Sequence, residues 1–223
     1  MCVAVNDSAN FNKPLAMPAF DKLVYFADPM CSWCYGFAPA LATFTGNHPE
    51  LPLLIVMGGL RPHTRESMSD TQRTDIRGHW HHVEEASGQA FNDALLMKPG
   101  FIYDTEPACR AVVTVRETGL ADRAVSGFMK AVQAAFYRDA RDVTDADVLA
   151  DVAAEEGIDR VAFLAAFKSP QMREAVQGDF ALTQSVGVRG FPALFAARGN
   201  ELHSIVNGYA PAHLVEQGYA QLV

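Results

Sequence analysis

Positive charge is scarce in this sequence, and long apolar runs are missing from it. The 223 residues carry 18 Lys and Arg against 26 Asp and Glu, which gives a formal net charge of −8. Nucleic acids and anionic membranes attract basic surfaces, so this charge argues against both as partners. The longest strongly apolar run covers residues 51–57 and contains Pro52, whereas a membrane-spanning helix needs about 20 apolar residues.

Cysteine is also sparse, and nothing at the start of the sequence resembles a secretory signal. The four cysteines are Cys2, Cys31, Cys34 and Cys109, fewer than a secreted scaffold held together by disulfides would carry. Residues 1–20 lack the basic stretch and continuous apolar segment of a signal peptide, so we expect a cytoplasmic protein. What is present is an ordinary globular composition, 49% hydrophobic and 20% charged, in a chain long enough to bury a core.

The hydrophobic pattern predicts a strand–helix–strand unit near the start of the chain. Residues 22–26 and 53–57 are short apolar runs with the composition of buried strands. Between them, apolar residues from Cys34 to Phe44 recur at three- and four-residue spacing, which is the period of one helix face. Residues 1–20 show no such period, and we expect them to form a loose lead-in.

A long helical stretch separates this unit from a second α/β segment. Helices are predicted at residues 70–86, 106–117, 121–138, 145–156 and 159–168. The pattern then predicts a helix over 170–186, a strand within 187–195, a second strand over 203–207 after the turn Arg198-Gly199-Asn200, and a helix over 211–222. The predicted fold class is α/β, in which residues 21–60 and 169–223 form one domain and residues 61–168 form an all-helical insertion.

Cys31 and Cys34 form a CxxC motif, for which three kinds of chemistry compete. A structural zinc site needs four ligands, and the sequence has no second CxxC; a helix would spread His79, His81 and His82 apart. A structural disulfide across so small a loop would remove little entropy from the unfolded chain. We therefore expect no metal, and the motif favours redox chemistry.

The position of the motif supports this choice. At a strand–helix junction, Cys31 lies at the helix N-terminus, where unpaired N–H groups and the helix dipole favour a thiolate. One helical turn brings the two Cα atoms to roughly 5–6 Å, within reach of a disulfide. We expect Cys31 to attack a substrate disulfide, and Cys34, deeper in the helix, to resolve the mixed disulfide.

A proline far along the chain belongs with this motif. Gly190-Phe191-Pro192 opens a predicted strand, and Pro39 follows Cys34 by five residues. Together with the CxxC, these residues resemble the thioredoxin superfamily, in which a cis-proline loop packs beside the cysteines and presents its backbone to the substrate. The resemblance implies that the Pro192 peptide bond is cis, that Phe191 faces the sulfurs and that Pro39 kinks the helix. It also implies that substrate is contacted by four residues: Ser32, Trp33, Phe191 and Pro192.

The helical insertion narrows the resemblance to the DsbA-like branch, which includes FrnE-type oxidoreductases, hydroxychromene-carboxylate isomerases and kappa-class glutathione transferases. Residues 28–37, 80–91 and 187–195 carry the match, which implies a thioredoxin fold with a large helical insertion. The isomerases and transferases usually have serine where this chain has Cys31, so two retained cysteines favour dithiol–disulfide chemistry. DsbA has Pro-His between its cysteines and this chain has Ser32-Trp33, which leaves the direction of electron flow open.

Three residues near the motif allow more than one interpretation. Asp28 either tunes the thiols through its charge and relays protons to Cys34, or is only a turn residue ahead of a proline. Trp33 and Tyr35 form an apolar platform beside the reactive sulfur if they are exposed, and Tyr35 could equally belong to the core. Cys109 is expected to be a small buried hydrophobe.

The expected function is that of a protein-disulfide oxidoreductase acting through a mixed disulfide. Its partners would be protein or low-molecular-weight thiols and disulfides, with no bound cofactor and with glutathione as a candidate redox partner. Two alternatives stay open: a glutathione-dependent isomerase or transferase in which Cys31 orients glutathione, and a thioredoxin-like protease adaptor without redox turnover.

Overall fold

A four-stranded mixed sheet forms the centre of the molecule. The computed structural model describes residues 20–223, so nearly all of the predicted lead-in lies outside the described residues. The strands are β1 (Lys22–Ala27), β2 (Leu53–Met57), β3 (Ala193–Arg198) and β4 (Glu201–Asn207), in the order β2-β1-β3-β4. β1 pairs with β2 in parallel and with β3 antiparallel, and β3 and β4 form an antiparallel hairpin.

Eight helices surround the sheet in the described part of the chain. The first, α1, crosses from β1 to β2, and α2 to α7 fill the sequence between β2 and β3. The bounds are α1 Ser32–Asn47, α2 Asp70–Ser87, α3 Glu106–Glu117, α4 Asp122–Tyr137, α5 Ala146–Glu155, α6 Arg160–Phe167, α7 Pro170–Val186 and α8 Ala212–Ala220. The predicted α/β class and the order of elements are confirmed, while the division into two domains stays a prediction. No helix within residues 20–223 is long and apolar enough to cross a membrane.

Alternation along β1 divides the core into two layers. Leu23 and Tyr25 face the large cluster shared with α1 and the helical segment. Val24 and Phe26 face a smaller cluster on the other side of the sheet, which includes Val56. Because successive side chains of a strand point to opposite faces, a central strand covered on both sides is apolar at almost every position.

Local sequence fixes the ends of the longer helices. The Ser69 hydroxyl accepts a hydrogen bond from the Gln72 N–H at the start of α2, and the Gln72 side-chain oxygen accepts one from the Ser69 N–H, which makes a capping box. Ser169 caps α7 in the same way through its hydroxyl. Gly88 and Gly187 end these two helices in the left-handed conformation, with φ of 72° and 81°, which suits glycine.

The strand predicted within residues 187–195 is shorter than its apolar composition suggested. Gly187 is the C-cap of α7, and β3 begins only at Ala193. The intervening residues form a loop that runs over the end of the sheet. That loop contains Phe191 and Pro192, and it is the segment that reaches the CxxC.

Candidate active site

The junction between β1 and α1 places Cys31 at the start of a helix. Residues 28–30 form a tight turn in which the Cys31 N–H donates to the Asp28 carbonyl at 3.0 Å. Cys31 is the N-cap of α1, and its carbonyl accepts the first helical hydrogen bond, from the Tyr35 N–H at 3.1 Å. The Cys31 side chain is 6% exposed and that of Cys34 is fully buried. Both are free thiols in the structure.

The loop before β3 meets Cys31 through its backbone. The Cys31 Sγ lies 3.6 Å from the Phe191 carbonyl oxygen, and the peptide bond between Phe191 and Pro192 is cis. The Pro192 carbonyl accepts from the Gly208 N–H at 2.7 Å, which ties the loop to the end of β4. Residues predicted to act together, although 160 positions apart, are therefore adjacent.

The Phe191 ring makes a separate contact. It packs against Gly58, at the end of β2, so closely that a Cβ on Gly58 would lie 1.9 Å from the Phe191 Cζ. Phe191 thus contacts the sulfur of Cys31 through its carbonyl, while its ring contacts Gly58. The ring instead locks the loop against the end of β2.

The aromatic residues of the motif occupy different environments. Ser32 and Trp33 are half-buried at the start of α1, and the Trp33 ring lies 5.4 Å from that of Tyr209. Tyr35 is buried and stacks on Tyr137 at a centroid distance of 4.9 Å. The proposed apolar platform can therefore include Trp33, whereas Tyr35 belongs to the core.

Asp28 is a buried carboxylate with partners on both oxygens. Its Oδ1 accepts from the Met30 N–H at 2.8 Å, and its Oδ2 accepts from the Leu60 N–H at 2.7 Å. The Cys109 thiol also donates to Oδ2, at 3.3 Å. Burial raises the pKa of Asp28, and these donors partly offset that effect. Asp28 is therefore more than a turn residue.

Cys109 is a site residue that sequence reasoning assigned only to the core. It is fully buried, as expected, yet its thiol is hydrogen-bonded to Asp28. Burial raises the pKa of the Cys109 thiol, and the Asp28 charge raises it further, so the thiol is the donor in this contact. The two residues are 81 positions apart, and no local pattern signals such a contact.

Cys34 is held as a protonated thiol by its surroundings. Burial raises the pKa of Cys34 well above its usual value, and the neighbouring Cys31 sulfur raises it further. The Asp28 carboxylate adds to this increase through its charge, while a hydrogen bond to the Asp28 backbone opposes it. A buried protonated thiol one turn beyond Cys31 suits the sequential roles predicted for the two cysteines.

A tyrosine from the helical segment fixes the turn before Cys31. The Tyr103 hydroxyl donates to the Met30 carbonyl at 2.6 Å and lies 3.4 Å from the Tyr137 hydroxyl. Arg61 lies over the Tyr103 ring, 5.3 Å from its centroid. Sequence analysis did not identify Tyr103 because nothing in the local pattern distinguishes it from a core tyrosine.

The histidines considered as metal ligands lie elsewhere. His79, His81 and His82 are exposed on α2, where the helix spreads them apart. Within residues 20–223, no group of three or more His, Cys, Asp or Glu side chains could hold a metal ion.

Comparison with known proteins identifies the same architecture elsewhere. A family model described as the DSBA-like thioredoxin domain matches residues 22–220. No curated protein gives a significant match. A provisionally named protein disulfide isomerase from Nitrosomonas europaea is 35% identical, with a TM-score of 0.80; the match covers 89% of this chain and 95% of that one.

More distant structures share the fold. The cytosolic disulfide reductase DsbM from Pseudomonas aeruginosa is 24% identical with a TM-score of 0.74, covering 90% of this chain and 98% of that one. A second structure of that reductase contains glutathione. A 2-hydroxychromene-2-carboxylate isomerase is 14% identical with a TM-score of 0.65, covering 90% and 95% of the two chains.

Proposed function

Because the chain belongs to the DSBA-like thioredoxin domain family, we propose that it is a thiol–disulfide oxidoreductase whose redox centre is Cys31 and Cys34. The observation that carries this proposal is the arrangement of the two sulfurs. Cys31 caps a helix beside the Phe191 carbonyl, and Cys34 is buried one turn further along as a protonated thiol. A helix N-terminus favours the thiolate that thiol–disulfide exchange requires.

In the reductive direction the exchange has two steps. The Cys31 thiolate attacks one sulfur of the substrate disulfide, whose S–S bond breaks, and the first substrate thiolate leaves and takes up a proton. Cys34 then loses its proton and attacks the Cys31 sulfur, which breaks the mixed disulfide and releases the second substrate thiol. The substrate gains two electrons, and the protein is left with a Cys31–Cys34 disulfide. The reverse sequence oxidises a dithiol.

The loop before β3 provides a surface for the substrate backbone. The Phe191 carbonyl already accepts from the Cys31 thiol, and Pro192 fixes the loop without offering an N–H. Trp33 contributes a half-buried aromatic ring on the helix side. A substrate disulfide bound between Trp33 and the Phe191–Pro192 loop would present its sulfur to Cys31.

Glutathione is the low-molecular-weight partner that we propose for regenerating the dithiol. The support is the similarity in fold to DsbM, one structure of which contains glutathione. Glutathione binding also tests the isomerase or transferase alternative, which the similarity in fold to the chromene-carboxylate isomerase supports. Calorimetric titration of a Cys31→Ser variant with reduced glutathione tests whether the chain binds glutathione without thiol exchange. The alternative requires saturable binding, and its absence would rule the alternative out.

Trapping of the mixed disulfide tests the main proposal. In a Cys2→Ser background, a Cys34→Ser variant exposed to glutathione disulfide should accumulate one glutathionyl group on Cys31, measured by intact mass and peptide mapping. The unmodified pair should release it, and Cys31→Ser should acquire none. Reduction of insulin disulfides should fall to background in either single variant. An adduct on Cys34, or full insulin reduction by Cys31→Ser, would contradict the assigned roles.

A further inference from the structure

A cavity reaches the CxxC from within the body of the protein. It lies between α1 and α4, with β1 and β2 behind it, and its volume is about 490 Å³. Cys34 is part of its lining, whereas Cys31, Trp33 and Phe191 are not. It is therefore separate from the surface on which a substrate disulfide would bind. Its volume lies within the range of about 300–1,000 Å³ that is usual for small-molecule pockets.

Two buried polar groups in this cavity have unused hydrogen-bonding capacity. Tyr25 is 1% exposed and Gln133 is 2% exposed, and both line the cavity. The Gln133 amide nitrogen has no hydrogen-bond partner within the described part of the chain. The Tyr25 hydroxyl interacts with the Cys34 thiol and has no other hydrogen-bond partner among the described residues. Buried polar side chains almost always have partners, so an unpaired amide beside a hydroxyl with unused capacity indicates a ligand that supplies the missing hydrogen bonds.

The rest of the interior wall is apolar. Leu41 on α1, Ile55 on β2 and Met129 on α4 are all buried and line the cavity. A ligand that reaches Tyr25 and Gln133 must therefore pass an apolar section. This calls for a hydrocarbon or aromatic body with a polar group at its inner end.

The mouth of the cavity is positively charged. Arg123 and Lys130 are exposed, line the cavity, and lie seven residues apart on α4, so they share one face of that helix. Neither has an ion-pair partner among residues 20–223. The nearby Asp122 carboxylate accepts from the Leu53 N–H at 2.9 Å, so one of its oxygens is already engaged. Two free cations on a chain with a net charge of −8 favour an anionic group at the outer end of the ligand.

We propose that this cavity binds a small organic carboxylate with an apolar body and a hydroxyl or carbonyl group at its far end. The carboxylate contacts Arg123 and Lys130, the apolar body crosses the middle section, and the far polar group pairs with Tyr25 and Gln133. Burial keeps the Tyr25 hydroxyl protonated by raising its pKa, so it acts as a donor. The ligand then lies against the side of Cys34.

Calorimetry with 3-(4-hydroxyphenyl)propanoate tests this site. The full chain should bind the probe with a dissociation constant on the order of 0.1–1 mM. Removing the phenol group, in 3-phenylpropanoate, should weaken binding by roughly three- to tenfold, because one or two hydrogen bonds are lost. Removing the carboxylate, in 4-ethylphenol, should weaken it by a similar factor at low salt.

Matched variants assign these losses to particular residues. Tyr25→Phe combined with Gln133→Leu should remove the preference for the phenol. Lys130→Gln should remove much of the preference for the carboxylate, while Lys98→Gln, an exposed lysine outside the cavity, should not. Ala42→Phe at the mouth should block binding, whereas Thr43→Phe, its exposed neighbour outside the lining, should leave it intact.

The outcomes of this experiment are separate from those of the redox proposal. Cys31→Ser should bind the probe as the unmodified chain does, even though it cannot exchange disulfides. If the unmodified chain shows no saturable binding, or if Ala42→Phe binds as well as Thr43→Phe does, the site is not a ligand pocket. The unpaired groups are then satisfied by water alone. Ala42 and Thr43 are both exposed, so this conclusion does not depend on whether Tyr25→Phe or Gln133→Leu folds.

Discussion

Asp28 connects the turn before Cys31, the end of β2 and the thiol of α3. Its two oxygens accept from Met30, Leu60 and Cys109. It acts on Cys34 in two opposite ways, because its carboxylate raises the pKa of that thiol while a hydrogen bond to its backbone lowers it. A substitution that removes the Asp28 charge and keeps its backbone therefore separates the effect of the carboxylate on the pKa of Cys34 from the effect of the backbone hydrogen bond.

The variant Asp28→Asn should release mixed disulfides faster at neutral pH. Below the pKa of Cys34, the thiolate fraction and the release rate both rise with pH. Removing the negative charge lowers that pKa, so the pH profile should move toward lower pH and the rate at pH 7 should increase several-fold. Stopped-flow measurement of glutathione release from pre-formed mixed disulfide, between pH 5 and 10, gives the profile.

A control separates this charge effect from a general loss of hydrogen bonding. Asp104 also accepts from two backbone N–H groups, those of His63 and Glu106, so Asp104→Asn should leave the pH profile in place. If Asp28→Asn instead slows release at every pH, Asp28 acts as a proton relay and not as a source of charge.

At the scale of elements, the loop before β3 and the end of β2 hold each other in place. The Phe191 ring occupies the space beside Gly58, while the Phe191 carbonyl faces Cys31. Displacing the ring would therefore disturb the backbone against which a substrate is proposed to lie. Gly58 also restricts the loop, because it donates its N–H to the Ala27 carbonyl at 2.7 Å and cannot shift freely to make room for the ring.

The variant Gly58→Ala should lower both stability and exchange activity. An added Cβ would overlap the Phe191 ring, and overpacking of this kind costs about 1–3 kcal/mol. Gly78→Ala is the matched control: a Cβ there meets no atom within 4 Å, and alanine in the middle of a helix should stabilise by about 0.5–1 kcal/mol. Urea denaturation measures the free energy of unfolding, and insulin reduction measures the activity. Unchanged activity in Gly58→Ala would show that the ring can move without affecting the site.

Most elements could be predicted from the sequence because each is encoded locally. The helices from α2 to α7 follow the spacing of their apolar residues and their caps, and Ser169-Pro170 marks the start of α7 to the residue. The apolar pattern predicts a strand within residues 187–195 that opens at Gly190-Phe191-Pro192, whereas β3 covers Ala193–Arg198. The difference arises because Val188 and Phe191 are as apolar as strand residues although they lie in a loop. Loop residues that pack against the sheet have the same apolar composition as residues in the strands of the sheet.

The candidate site was predictable only in part, for a related reason. The CxxC and the Gly-Phe-Pro segment are recognisable motifs, so Cys31 and Phe191 could be expected to meet. The contacts of Tyr103 with Met30 and of Cys109 with Asp28 depend on how a helical segment packs against the sheet, at separations of 73 and 81 residues. Local periodicity predicts which face of a helix is buried, but it does not predict which element that face packs against.

At the scale of the whole molecule, one ion pair joins two helices to the edge of the sheet. Arg116 on α3 donates to Asp179 on α7 at 2.7 Å and to the Ile55 carbonyl on β2 at 2.8 Å. The Asp179 carboxylate also accepts from the Met57 N–H at 2.8 Å. Arg116 and Asp179 are 19% and 10% exposed, so this group is largely shielded from water.

The variant Asp179→Ala should destabilise the whole fold. It leaves the Met57 N–H without its acceptor and removes one carboxylate from Arg116, which keeps the Ile55 carbonyl and the Glu117 carboxylate as acceptors. Breaking a buried pair costs about 3–5 kcal/mol, and we expect a loss at the lower end of that range because of these remaining acceptors and the partial exposure of the arginine. Asp139→Ala is the control, because its pair with Arg138 is 38% and 58% exposed and should contribute about 0–1 kcal/mol. Urea denaturation followed by circular dichroism compares the two. Equal losses would contradict a special role for the buried pair.

The position of β1 in the sheet has a consequence for the protein during its synthesis. β1 leaves the ribosome well before one of its two neighbours, β3, which ends at Arg198. Until β3 has emerged, the edge of β1 that pairs with it is unsatisfied, and the Phe191 carbonyl is not yet beside Cys31. While the residues between α1 and β3 are being made, the nascent chain therefore carries Cys31 and Cys34 without the loop that lies beside Cys31 in the folded protein. We expect these two thiols to be more open to oxidation during that interval than after the β3–β4 hairpin has closed the sheet.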